Sequence, residues 1–240
     1  MAARKRSPDA DLTRAPARIR AAAIALFKER GYHGTSVRDL AQAVKVEAAS
    51  LYYHFPSKQA ILFEFFHRIM DAMLAGFERV LQSEATPAAQ LQAMVRMHVE
   101  FHIVRRDEAF ISHSELRSLT PQNRRKIVAQ RDRYEGMLRA ILEAGVREGS
   151  FEIIDVPVTS TAILVMCSGV SDWFIRRGRL TPDIVADSYA ELVARMVGLR
   201  TGSPGPDQPL SMQSDLKRAP RKSAKASLSA QEGRPSNRGE

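Results

Sequence analysis

The stretch that decides the fold is Gly34-Thr35-Ser36-Val37-Arg38-Asp39-Leu40-Ala41-Gln42-Ala43-Val44-Lys45-Val46-Glu47-Ala48-Ala49-Ser50-Leu51-Tyr52-Tyr53-His54-Phe55. Val37, Leu40, Ala41 and Val44 recur at the three- and four-residue spacing of one helix face. Thr35 or Ser36 can open that helix by accepting a bond from an orphan backbone N–H. After the break at Lys45, the apolar residues Val46, Leu51 and Phe55 anchor a second short helix over about Ala48–His54. Two short helices with a tight turn between them have helix-turn-helix spacing, in which the second helix enters a DNA major groove about 12 Å wide. Between the buried positions stand groups suited to phosphates or base edges: Thr35, Ser36, Arg38, Ser50, Tyr52, Tyr53, His54 and Lys58. A plain helical hairpin inside a bundle would share the apolar spacing, so the charge around the motif matters.

That charge is uneven. Residues 1–58 carry 11 Lys/Arg against 5 Asp/Glu, residues 59–200 carry 18 of each, and residues 201–240 carry 7 against 4. The net +9 of the chain therefore lies at its two ends, with +6 around the helix-turn-helix. A basic end on a neutral body suits a polyanion-binding module joined to a domain with another task. From Thr201 onward there is no Val, Ile, Phe, Trp or Tyr. Such a segment cannot bury enough apolar surface to offset its ordering entropy, so 201–240 is expected to be a disordered basic tail, and 1–14 a disordered basic arm.

The remainder reads as helices. Ile19, Ala22, Ala23, Leu26 and Phe27 form a helical stripe ended by Gly31, and Ser57 caps a long helix from Lys58 to about Gln82. The free N–H groups at the start of that helix favour phosphate. Thr86-Pro87, Thr120-Pro121 and Thr181-Pro182 pair a capping threonine with a proline at the first helical position, opening helices over about 87–105, 121–148 and 182–198. A shorter helix fits 108–119, and Pro157 lies in the first turn of another that runs to Arg177 before Gly178. About nine helices result, with an all-α architecture and no internal repeat. The longest uncharged run, Val156–Ser171, has 16 residues, short of the roughly 20 that a membrane span needs. The single cysteine, Cys167, cannot form an internal disulfide. A cytoplasmic protein with no membrane association is expected.

The run Thr-Ser-Val-Arg-Asp-Leu-Ala, then Ser-Leu-Tyr-Tyr-His-Phe, then Pro-Ser-Lys before an apolar helix, resembles the N-terminal signature of the tetracycline-repressor (TetR) family of bacterial transcriptional regulators. The resemblance covers about Arg18–Phe65. It implies a three-helix DNA-binding domain over 15–58, a helical ligand-binding and dimerisation domain over 59–200, and no enzymatic activity. It also implies that Thr35 and His54 contact the DNA backbone, that Arg38 reaches a guanine edge, and that Tyr52, Tyr53 and Lys58 make phosphate or base contacts. The chain departs from the family pattern where Lys45 replaces a glycine in the turn and Glu47 replaces a Ser or Thr cap. Ala48 and Ala49 replace larger polar residues, which shifts base reading toward Arg38, Tyr53 and contacts between the alanines and thymine methyls. Val37 completes the expected DNA-facing set.

The neutral middle is rich in Met and Phe, residues that fill cores but also adapt to ligands held between helices. The helix over 87–105 is apolar on nearly all sides, as a central helix would be. The candidate ligand contacts are Phe66, Met70, Met94, Met97, His98, Phe101, Phe110, His113, Arg117, Tyr134, Met137, Met166 and Trp173. His98 and His102 are four apart with His113 beyond, but a metal needs three or four converging ligands, and no metal or other cofactor is expected. No Ser/His/Asp set, paired-carboxylate pattern or phosphate loop has the context for catalysis. The stretches His113–Leu119 and Arg131–Glu135 resemble a branch of the TetR family linked to fatty-acid and acyl-CoA metabolism. That resemblance implies an acyl-CoA effector, with Arg105, Arg106, Arg117, Arg124 or Arg125 available to its phosphates. It further implies that the last two helices pair with their symmetry mates, so that a homodimer binds palindromic double-stranded DNA. The expected function is a repressor released by a small hydrophobic or acyl-CoA-type ligand. The alternatives are a DNA-binding protein with no effector and a helical acyl-CoA-binding protein.

Overall fold

The computed structural model describes residues 8–175 and 178–199, with side chains from residue 15. Among them every regular element is helical. The first three are α1 (Pro8–Arg30), α2 (Val37–Val44) and α3 (Ala48–His54). Next come α4 (Lys58–Ser83), α5 (Pro87–Val104) and α6 (Arg106–Ser114), followed by a 3-10 turn at Leu116–Ser118. The chain continues through α7 (Pro121–Arg147), α8 (Val156–Ser168), α9 (Val170–Trp173) and α10 (Pro182–Met196). The expected helix from Pro157 is interrupted at Gly169, so α8 and α9 are two parts of one bent segment. With that segment counted once, nine helical units are described.

Two expectations about extent change. The helix expected from Ile19 begins at Pro8, so residues 8–14 are backbone-helical rather than a disordered arm. Their composition argued against burial in a core, but local helix formation does not require burial. The helix expected over 108–119 is α6, which stops at Ser114, followed by the 3-10 turn. Residues 1–7 and the expected tail at 201–240 lie outside the described residues.

Most helix starts follow the capping logic. The side chains of Thr86, Thr120 and Thr181 each accept from the backbone N–H three residues on, and Pro87, Pro121 and Pro182 follow them. Ser36, not Thr35, caps α2 and shares a reciprocal capping box with Asp39, whose carboxylate accepts from the Ser36 N–H at 2.7 Å. Ser57 caps α4, whereas Glu47 makes no side-chain cap on α3.

Ile19, Ala23 and Phe27 of α1, Leu40, Ala41 and Val44 of α2, and Leu51 and Phe55 around α3 are buried together as the core of the first three helices. Arg18 reaches over to donate to the Val44 carbonyl at 2.6 Å, closing the end of α2. In the larger bundle α5 is central, packed by α4, α7, α8 and α10, with Leu91, Met94, Val95, Val99 and Ile103 buried. Its Arg96 and Glu100 still reach solvent, and Arg96 pairs with Asp187 of α10.

Candidate nucleic-acid interface and sensor cavity

The turn between α2 and α3 holds Lys45 at φ 58° and ψ 48°, the left-handed region. Its N–H closes on the carbonyls of Ala41 and Gln42. A side chain is strained there, and the turn is kept because α2 and α3 bury Leu40, Val44 and Leu51 on either side of it. The turn leaves one face of α3 unpacked. Tyr53 is 80% exposed and Tyr52 is 50% exposed. Arg38, Ala49 and Ser50 are also exposed, while Ala48 and His54 are half-buried. These residues form the open surface of the helix-turn-helix.

Three expected DNA contacts point elsewhere. Thr35 is 1% exposed, and its hydroxyl lies 2.9 Å from the Gly31 carbonyl and 3.3 Å from that of Leu26, closing the end of α1. Val37 is half-buried against the core. The Lys58 ammonium donates to the carbonyls of Tyr32 at 2.8 Å and Thr35 at 2.7 Å, and sits 4.1 Å above the Tyr32 ring. Burial holds its pKa below the usual lysine value. Carbonyls at the end of α1 and in the loop after it thus take the groups that sequence spacing offered to phosphate. Ser36 is exposed, but its hydroxyl is committed to the capping box.

Sequence reasoning missed the joint beside this motif. The Tyr32 N–H donates to Glu115 at 3.0 Å. Gln59 donates to the Tyr32 hydroxyl at 2.8 Å and to the Ser118 carbonyl at 2.6 Å, and accepts from the Thr120 N–H at 3.2 Å. Lys28 pairs with Asp107 at 2.5 Å and Arg20 with Glu64 at 2.9 Å. Residues at the end of α1 and the start of α4 are therefore tied to α6 and the turn after it.

On α6 also lies a cavity of about 550 Å³, lined by α4, α5, α6, α7 and α8 with Asp172 of α9. Each helix contributes a patch at three- and four-residue spacing: Ile69, Met70 and Met73; His98, Phe101 and His102; Ala109, Ser112 and His113; Arg131, Tyr134 and Glu135; Thr161, Leu164, Val165 and Ser168. Gly169 and Asp172 complete the wall.

Of the expected ligand contacts, Met70, His98, Phe101, His113 and Tyr134 line this cavity. The others do not. Phe66 and Met94 lie one helical turn before Met70 and His98 and are buried in the general core. Met97 packs against Gly76 of α4. Met137 and Met166 are out of phase with the lining residues of their helices and pack half-buried against the core. Phe110 and Trp173 are exposed, with Trp173 stacked on Tyr189, and Arg117 is exposed.

The polar wall is ordered by hydrogen bonds. His98 Nδ1 pairs with the Tyr134 hydroxyl at 2.9 Å and its Nε2 with Ser168 Oγ at 3.1 Å. The His102 ring stacks on His98 with centroids 4.3 Å apart, and its Nδ1 donates to the His98 carbonyl at 2.9 Å. Burial, with added repulsion from the neighbouring rings, holds His98 well below the usual imidazole range, and burial lowers His102 to about 4. His113 is also lowered, by burial and then by Arg131. Near neutral pH the stack is uncharged. Parallel rings do not aim their nitrogens at a common point, and no group of three or more His, Cys, Asp or Glu among the described residues is placed to hold a metal ion.

The arginines expected at an effector's phosphates are dispersed. Arg106 donates to the carbonyls of Ser171 at 2.6 Å and Asp172 at 3.1 Å, while Arg105 lies 4.9 Å above the Phe101 ring. Arg124 and Arg125 are exposed on α7. The arginine in the cavity wall is Arg131, which sequence spacing does not single out.

A profile of bacterial regulatory proteins of the tetR family matches residues 19–65, and a tetracyclin repressor-like C-terminal domain profile matches residues 84–197. The crystal structure of the TetR family transcriptional regulator PfmR from Thermus thermophilus is 37% identical. It has a TM-score of 0.69, over 74% of this chain and 97% of that one. The chain belongs to the TetR family.

Two further proteins are similar to this chain. The HTH-type transcriptional repressor KstR2 of Rhodococcus jostii is 29% identical over 173 residues, 71% of this chain and 85% of that protein. The structure of AibR in complex with isovaleryl coenzyme A and operator DNA is 28% identical, with a TM-score of 0.67 over 76% of this chain and 99% of that one. The TetR assignment makes the first three helices a DNA-binding helix-turn-helix unit in a family of regulatory proteins.

Proposed function

We propose that the protein is a homodimeric repressor which binds a palindromic operator in the cytoplasm and is released by an acyl-CoA-type effector in the 550 Å³ cavity. The DNA-binding unit spans 15–58 and the sensor and dimerisation unit 59–200. One observation carries the reading: α6 lines the cavity through Ala109, Ser112 and His113 while the ends of the same segment hold α1 through Asp107 and Glu115. A ligand that favours a different position of α6 favours a different position of α3, and releases DNA by the difference in its affinity for the two states.

The complex of AibR with isovaleryl coenzyme A supports an acyl-CoA as the effector class. Dimerisation is supported by apolar side chains left exposed on α8 to α10: Val158, Val165, Trp173, Ile184, Leu192 and Met196. Arg38, Tyr53 and the face of Ala49 and Ser50 carry base reading, while Tyr52 and His54 flank the backbone. No described helix is long and apolar enough to cross a membrane.

Footprinting on DNA upstream of the gene, repeated with a series of acyl-CoA thioesters, tests this. A two-fold symmetric footprint lost on addition of one thioester class is expected. A footprint indifferent to every thioester leaves a DNA-binding protein without this effector, and no footprint at all overturns the reading.

A further inference from the structure

Building on the acyl-CoA reading, we propose that the effector's acyl portion carries its own carboxylate, and that Arg131 binds it. Arg131 is the one Arg or Lys among the described residues lining the cavity. It is largely withdrawn from solvent, and burial lowers its pKa. Its Nη2 donates to the Ser112 carbonyl at 3.0 Å and to the Ser112 hydroxyl at 3.1 Å, which fixes the side chain against α6. Among the described residues, no carboxylate lies within ion-pair distance of it, and its Nε and Nη1 make no hydrogen bond to protein. No buried side-chain nitrogen or oxygen among the described residues lacks a partner, so these free donors stay open to the cavity, where their planar fork matches a carboxylate.

The two acids in the wall do not fill this role. Glu135 already accepts from Arg139 at 2.7 Å and from the hydroxyls of Ser160 and Thr161, both at 3.1 Å. Asp172 on α9 is exposed, its carboxylate accepts from the Ser171 hydroxyl at 3.4 Å, and it makes no ion pair with Arg131. The histidines add no competing charge, because His98 and His102 are spent on Tyr134, Ser168 and a backbone carbonyl. The apolar part of the lining, with Ile69, Met70, Met73, Phe101 and Leu164, suits the methylenes between the two carbonyl ends. The effector class is therefore the mono-CoA thioester of a dicarboxylic acid, rather than of a plain fatty acid.

Titration calorimetry on the full-length protein tests this with matched pairs, adipoyl-CoA against hexanoyl-CoA and sebacoyl-CoA against decanoyl-CoA. In at least one pair the dicarboxylic member is expected to bind at least about tenfold more tightly. Arg131→Met is expected to erase that preference while still binding the plain acyl-CoA, and Arg131→Lys, which keeps the charge but not the fork, to retain a smaller one. Thermal melts report whether each variant is folded. If Arg131→Met does not fold, the wild-type comparison and Arg131→Lys still decide. Equal wild-type affinity within both pairs overturns the proposal but leaves the acyl-CoA reading standing. A common loss of both members of a pair in Arg131→Met also overturns it, since Arg131 would then serve the CoA phosphates or packing. Failure of every thioester to bind removes the acyl-CoA reading itself, and this proposal with it.

Discussion

Lys58 lies above the ring of Tyr32 and at the same time donates to the Tyr32 carbonyl, so the first residue of α4 closes the end of α1. A lysine at the start of a helix beside a DNA-binding motif looks like a phosphate contact, but here its donors face inward. Lys58→Met should cost about 1–3 kcal/mol of stability by stripping two carbonyls of a charged donor. It should leave the slope of operator affinity against log salt unchanged. A slope smaller by about one would instead restore Lys58 as a phosphate contact.

Arg38 has no such internal duty and stands exposed at the start of α2. Arg38→Ala should weaken operator binding by about 1–3 kcal/mol and relax selectivity at one base position. Binding to a panel of single-base operator variants checks it, and a uniform loss across the panel would contradict base reading.

The buried histidines make stability depend on pH. His102 holds a pKa of about 4 in the fold against 6.5 when free, and His98 is depressed in the same direction. The unfolded chain therefore binds more protons across that window. Stability is full above about 6.5 and falls as pH drops toward about 4. Urea melts should show this loss. His102→Gln, which cannot titrate, should remove its share of the loss and leave that of His98.

Lys45 occupies a left-handed conformation at φ 58°. Lys45→Gly should relieve the clash of its Cβ and raise stability by about 0.5–1 kcal/mol, net of the extra freedom of the unfolded chain. Thermal melts against the wild type are the check, and a fall in melting temperature would mean that the lysine side chain makes a compensating contact.

Gly145 has the opposite requirement. A Cβ there would lie 2.0 Å from the Phe151 ring, which folds back over α7 and is itself buried. Gly145→Ala should cost about 1–3 kcal/mol by forcing that ring out of place, read as a lower urea midpoint with an unchanged slope.

The helices are legible because their starts are written locally. Thr-Pro pairs, Ser36 and Ser57 act on backbone groups within one turn, and no distant residue alters that chemistry. The cavity is only half legible. Choosing large flexible residues finds Met70 and Phe101, but also Phe66, Met94 and Met97, which sit a turn away or out of phase. What selects the lining is the phase of each helix against four others, set by packing that no single segment records. The polar members Ser112, Arg131, Glu135 and Ser168 carry no signal as individual residues, because a polar residue on a helix is ordinarily solvated. Thr35 and Lys58 mislead for a related reason. Their partners are carbonyls at the end of α1 and in the loop after it, visible only once that loop is folded back.

Val165 of α8 lines the cavity and is 68% exposed. Thr161, one turn earlier, is likewise part of the wall and exposed. A substitution at those positions therefore changes the cavity lining and the solvent-facing surface of α8 together. In the proposed dimer, drift toward a new effector through α8 would carry a penalty in subunit pairing. Drift through Ile69, Met70 and Met73 of α4, which are buried, would not. The lineage is freest to change its chemical vocabulary from the α4 side and most tightly held along α8.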